Sequence, residues 1–187
     1  MQDAAAVPMN RISFPGKIHL ITNDYELDVA CNHLEQATEL GFDTETKPSF
    51  KKGEVFKVAL LQLATESDAY LIRLHHVTHY HHIKKILENT KILKVGAAIR
   101  DDLKVLQKVF TFVPGNFHEL QNLAKEKKLK NFGLRGMTEE VLNAALSKGP
   151  KMTNWELKTL TAQQQMYAAT DAWIGLALYK KLKEIPI

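Results

Sequence analysis

Residues 41–64 read GFDTETKPSFKKGEVFKVALLQLA. On a strand, residues two apart point to one face, so Asp43 and Glu45 would share a face at the end of an extended run. Residues 54–64 are apolar with no helical stripe. Gly53 precedes them and the polar residues 65–68 follow. That pattern predicts a central strand buried on both faces.

Working outward, residues 17–22 and 69–74 predict further strands. Asn23 or Asp24 can cap a helix running to about residue 40, with Leu27, Ala30, Cys31, Leu34 and Ala37 at helical spacing. Residues 79–89 are amphipathic, 91–96 predict a strand, 99–110 a helix and 116–120 a last strand. Helices are expected over about 120–127, 134–145 and 161–183. Three consecutive strands, then strands alternating with helices, imply an α/β fold with a mixed sheet of five to six strands flanked by helices. Pro8, Pro15 and Gly16 predict a loose N-terminal leader over 1–16, leaving 17–187 as one domain.

The 187 residues suit a single domain. Lys plus Arg number 25 and Asp plus Glu 21, so the net charge is +4. This excludes an acidic disordered chain and permits a nucleic-acid partner without demanding one. One cysteine, Cys31, excludes an intrachain disulfide and a zinc site built on cysteines. A small buried place on a helix is expected for it. No segment approaches the roughly 20 apolar residues of a membrane span. The start of the chain does not read as a secretory signal, and a cytoplasmic place is expected.

Two carboxylates on one face repel unless a cation lies between them, and hard ions such as Mg²⁺ or Mn²⁺ prefer such oxygens. Taken alone, Asp-x-Glu reads more simply as two solvated acids. Tyr167 and Asp171, in QQQMYAATDAW, lie four apart on one helix face. There the carboxylate could hold a metal and the phenol its water. Ala168, Ala169 and Ala172 around them allow close approach to another element. Asp101 and Asp102 open the helix after KILKVGAAIR, where a helix dipole favours acids by about 0.3–1 kcal/mol. Gly96, Ala97 and Ala98 leave room beside them.

In this order the motifs FDTE, VGAAIRDDLKVL and LTAQQQMYAATDAW resemble the DEDD 3′–5′ exonucleases of the ribonuclease H-like superfamily, in the subgroup with Tyr in the third motif. The upstream TNWE is especially like the exonuclease domain of the Werner syndrome helicase and its stand-alone relatives. Ribonuclease D is a more distant likeness. The resemblance runs over about 17–182. It implies that Asp43 bridges two divalent cations, Mg²⁺ or Mn²⁺, while Glu45 and Asp171 complete the site of the ion that activates water. It implies that Asp102, six positions after Gly96, holds the second ion and that Tyr167 orients the water. Ala98 is a departure, since many relatives carry Asn there.

Such a pair of ions, about 3.5–4 Å apart, clamps the attacking and leaving oxygens of a phosphodiester. The implied activity is 3′-end hydrolysis of DNA, releasing nucleoside 5′-monophosphates. Trimming of RNA 3′ ends is the alternative, and a non-catalytic nucleic-acid-binding module is a third. A helicase partner is conceivable from related fusions.

Thr44, Lys47, Arg100 and Arg135 are the candidate substrate contacts, and Phe50 could stack on a base or pack. Trp155 is expected to anchor a turn. His75, His76, His79, His81 and His82 form a dense group. It reads either as a zinc- or nickel-binding, pH-sensitive patch or, more simply, as a solvated loop and helix start.

Overall fold

The computed structural model describes residues 8–147, 149–150 and 153–186. Its large sheet has six strands: β2 (Lys17–Ile21), β3 (Glu39–Thr46), β4 (Val58–Ala64), β5 (Asp68–Arg73), β6 (Leu93–Gly96) and β7 (Phe117–Glu119). Their order is β2-β5-β4-β3-β6-β7. The β3–β4 and β4–β5 pairs are antiparallel; the other pairs are parallel. The expected mixed α/β sheet is therefore present. Every residue of β4 is buried, as its largely apolar run, interrupted by Gln62, predicts.

Helix α1 (Asp24–Leu34) is capped by Asn23, whose side chain accepts from the Glu26 amide. It stops well short of residue 40. Glu39 and Leu40 instead pair with Leu93 and Lys94, so strand pairing overrides helix propensity there. The strand expected from residue 54 begins at Val58. Thr46, at the end of β3, pairs with Val58, and β3 offers no partner to residues 54–57.

Helices α2 (His81–Glu88), α3 (Ile99–Leu106) and α4 (Leu120–Glu126) follow. Helix α3 ends at Leu106 rather than at residue 110. Helix α5 (Leu134–Leu142) ends where Asn143 takes a left-handed conformation, φ 49°. The long α6 (Ala162–Glu184) opens with a capping box between Thr161 and Gln164.

Two short strands, β1 (Asn10–Ile12) and β8 (Ala144–Leu146), pair in parallel as a separate ribbon. This corrects two expectations. The helix over 134–145 gives way to β8, and the leader over 1–16 is structured in its described part. Phe14 is buried, and its backbone N–H donates to Thr170 Oγ1. Residues 1–7 of that leader lie outside the described residues.

Apolar groups pack on both faces of the sheet. Leu27, Leu34, Leu40, Phe42, Ile83 and Ile86 share one cluster, which joins α1 and α2 to the sheet. Leu60, Leu71, Trp155, Ala168 and Ala172 share another, beneath α6. Cys31 is buried on α1 as expected. Among the described residues no helix is long and apolar enough to cross a membrane.

Candidate active site

Phe42 enters the cluster beneath α1 and α2, so its neighbours Gly41 and Asp43 point to the other face, toward α6. The approach there is close. A Cβ at Gly41 would stand 1.9 Å from the Ala172 carbonyl oxygen. Only glycine on the strand, with the fully buried Ala168, Ala169 and Ala172 on the helix, lets α6 lie this near β3.

That contact brings Asp171 to Asp43 and Glu45. One carboxylate oxygen from each of the three lies within 4.8 Å of the others. Burial, and then the charges of Glu45, Asp171 and Asp102, raise the Asp43 carboxyl well above the usual carboxylate range. The donor set suits a hard divalent cation: it is all oxygen and its charges repel. Oxygens around an octahedral Mg²⁺ stand about 3 Å apart when adjacent and about 4.2 Å when opposite, so the three carboxylates would draw together on binding one ion.

Tyr167 stands one turn before Asp171 on α6. Its phenol is pushed strongly upward by burial, then by Asp171, Glu45 and Asp43; its side chain is hydrogen-bonded to Asp171. The ring lies 6.1 Å from that of Trp155, centroid to centroid, and Trp155 is fully buried in the turn before α6. Trp155 is thus the packing anchor expected. Arg73, 1% exposed, donates from Nη1 to the Lys158 carbonyl at 2.8 Å and from Nη2 to that of Leu157, tying β5 to the same turn.

Asp102 sits on the first turn of α3, on the Thr44 side of β3. Burial pushes its carboxyl up to about 6; a hydrogen bond from Thr44 acts the other way, and Asp101 and Glu119 add to the rise. Asp43 senses its charge, but Asp102 is not among the three close carboxylates.

Asp43, Thr44, Glu45, Arg135, Tyr167 and Asp171 help to line a cleft of about 710 Å³, and Asp102 is not among its lining residues. Among the candidate substrate contacts, Thr44 and Arg135 line it and Lys47 and Arg100 do not. Lys47 lies 4.0 Å from Glu156 and over the ring of Phe56. Arg100 is exposed on α3. Phe50 is 80% exposed and does not pack.

Three further residues shape the site. The Gln62 side-chain amide is fully buried, 3.5 Å from Asp43 Oδ2 and 3.4 Å from the Ala168 carbonyl. Its signal was one polar residue inside the apolar run of β4. Glu119 accepts from the backbone N–H groups of Ala98 and Ile99, both at 2.8 Å, and so caps α3. Gly149 lies against the Tyr167 ring. Neither of these two shows a local signal in the sequence.

A family model described as 3′–5′ exonuclease matches residues 18–185. The chain is 36% identical over 155 residues to the bifunctional 3′–5′ exonuclease/ATP-dependent helicase WRN of Mus musculus, covering 80% of this chain and 11% of that protein. It is 33% identical over 153 residues to a 3′–5′ exonuclease of Arabidopsis thaliana, covering 79% and 53%. The chain thus spans about a tenth to about half the length of these relatives. The crystal structure of Escherichia coli RNase D, an exoribonuclease involved in structured RNA processing, superimposes with a TM-score of 0.81 at 29% identity, covering 89% of this chain and 44% of that one. With nearly its whole length matched and the acidic cleft in place, the chain belongs to the 3′–5′ exonuclease family.

Proposed function

We propose that this chain is a metal-dependent exonuclease that hydrolyses phosphodiester bonds at the 3′ end of DNA and releases nucleoside 5′-monophosphates. The observation that carries the reading is the meeting of Asp43, Glu45 and Asp171 within 4.8 Å, with Tyr167 hydrogen-bonded to Asp171. Divalent cations bound there would acidify the attacking water and stabilise charge on the attacking and leaving oxygens.

The chain's own residues do the rest. Asp43, Glu45 and Asp171 would hold the cations, and Asp102, whose charge reaches Asp43, would help hold a second one. Without cations, burial and the charges of Asp171, Glu45 and Asp43 hold the proton on Tyr167. In that state its hydroxyl would orient water through hydrogen bonds. Its tie to Asp171 fixes the phenol oxygen relative to the metal ligands. Arg135 is the cation on the cleft wall for a phosphate of the substrate.

DNA is favoured by the likeness to the WRN protein, which at 36% exceeds the 29% shared with the RNase D structure. The good superposition on RNase D supports RNA 3′-end trimming as the second reading. Oligonucleotides of DNA and of RNA, labelled at the 5′ end, separate the two. A ladder shortening from the 3′ end of DNA, with RNA spared, supports the first. The converse selects the second, and binding without cleavage of either contradicts both.

A further inference from the structure

The histidine group at the start of α2 is more than a solvated loop. One nitrogen each of His79 and His81 and one oxygen of Asp28, on α1, lie within 4.8 Å of one another. Two imidazoles with one carboxylate suit a borderline ion of the Zn²⁺ class, which a hard ion such as Mg²⁺ does not share.

The surroundings point the same way. His79 Nδ1 is buried with no hydrogen-bond partner. Its Nε2 stands 3.9 Å from Asp24 Oδ1, and that carboxylate is itself held by the Thr78 backbone N–H at 2.7 Å. At 3.9 Å that carboxylate is an ion-pair neighbour of the ring and leaves the buried Nδ1 without a competing acceptor. His82 Nδ1 lies 3.1 Å from Asp28 Oδ1 and its Nε2 2.8 Å from Glu35 Oε1, which restrains Asp28. The His79 and His81 rings are stacked with centroids 4.5 Å apart, so a modest turn of the exposed His81 converges the donors.

We propose that Asp28, His79 and His81 form a transition-metal site that clips α1 to the segment leading into α2. Both helices pack on the Phe42 face of the sheet, across from α6 and the acidic cleft. The site is therefore separate from the exonuclease centre, and its occupancy is structural.

The test uses the full chain without a histidine tag, in millimolar Mg²⁺ to satisfy the oxygen-only cleft, titrated with Zn²⁺. Zinc is expected to move the ring resonances of His79 and His81 and to raise the melting temperature. His81→Gln, at an exposed position that does not threaten folding, is expected to weaken zinc binding about tenfold or more. It should also abolish the thermal shift and leave Mg²⁺-supported exonuclease activity unchanged. Histidine resonances that ignore zinc, or zinc affinity equal in His81→Gln and the wild type, would overturn the proposal.

Discussion

Gly149 lies so close to Tyr167 that a Cβ added to it would stand 2.0 Å from Cδ2 of the ring. The ring also neighbours the buried Trp155, 6.1 Å away between centroids, which restricts its movement. Gly149→Ala should therefore displace the phenol from Asp171 while leaving the carboxylates in place. A misplacement of about 1 Å can cost about a hundredfold in rate. The expected outcome is a fall in kcat of tenfold to a hundredfold by the same measure, with Mg²⁺ affinity little changed. Equal losses of rate and metal affinity would place Gly149 in a merely structural role.

Asp43→Asn should separate stability from activity. In EDTA the wild-type carboxylate is buried among Glu45, Asp171 and Asp102, all of which oppose its charge. Removing that charge relieves the repulsion. The variant is expected to melt at a higher temperature than the wild type in EDTA, to lose exonuclease activity, and to lose most of the stabilisation the wild type gains from Mg²⁺. Thermal melts with and without Mg²⁺ read all of this but the activity. A variant less stable than the wild type in EDTA would show that the repulsion is not felt.

Stability against pH has a definite sign here. The carboxyls of Asp43 and Asp102 are both raised in the folded state, Asp102 from 3.8 to about 6. Between those values the native chain keeps protons that the unfolded chain has released, so stability falls as pH rises. Denaturant titrations in EDTA should show that loss from pH 3.8 to about 6, continuing as Asp43 ionises. Saturating Mg²⁺ should flatten it, because the cation favours the ionised acids. These two groups account for a slope of that sign; a shallower fall across the window in Asp102→Asn than in the wild type would agree, and an identical profile in both would not.

Ala98 occupies the left-handed region, φ 57° and ψ 35°, at the start of α3. That conformation costs an L-residue roughly 1–2 kcal/mol, and Asn bears it better through local hydrogen bonding. Glu119 pins it there by accepting from both Ala98 and Ile99. Ala98→Asn should stabilise the fold by a few tenths to about 1 kcal/mol, read by chemical denaturation. A destabilisation would mean that the added amide disturbs Glu119 or Asp102.

Local periodicity explains what could be read without coordinates. Asp43 and Glu45 follow the two-residue period of a strand, and Tyr167 and Asp171 the four-residue spacing of a helix; each pair needs only its own element. The alanines beside Asp171 announced a close approach, and Gly41 turned out to be its other half. What escaped depends on distant partners. NRI and AAL carry no strand pattern, and become β1 and β8 only by pairing with one another across the chain. Glu119 reaches back to α3, and Gly149 meets Tyr167, across turns that no short spacing encodes. Lys47 and Arg100 stand outside the lining of the cleft. Nearness in sequence to Glu45 and Asp102 does not set the direction in which a long cationic side chain points.

The central claim is that Asp43, Glu45 and Asp171 together hold the ions that drive cleavage. The most direct test is the shortening of a 5′-labelled oligonucleotide in Mg²⁺ or Mn²⁺, compared for the wild type, Asp43→Ala and Asp171→Ala. The expected result is progressive loss from the 3′ end by the wild type, abolished by EDTA and by either substitution in protein that remains folded. Cleavage that persists in EDTA, or that either substitution leaves at the wild-type rate, would contradict it.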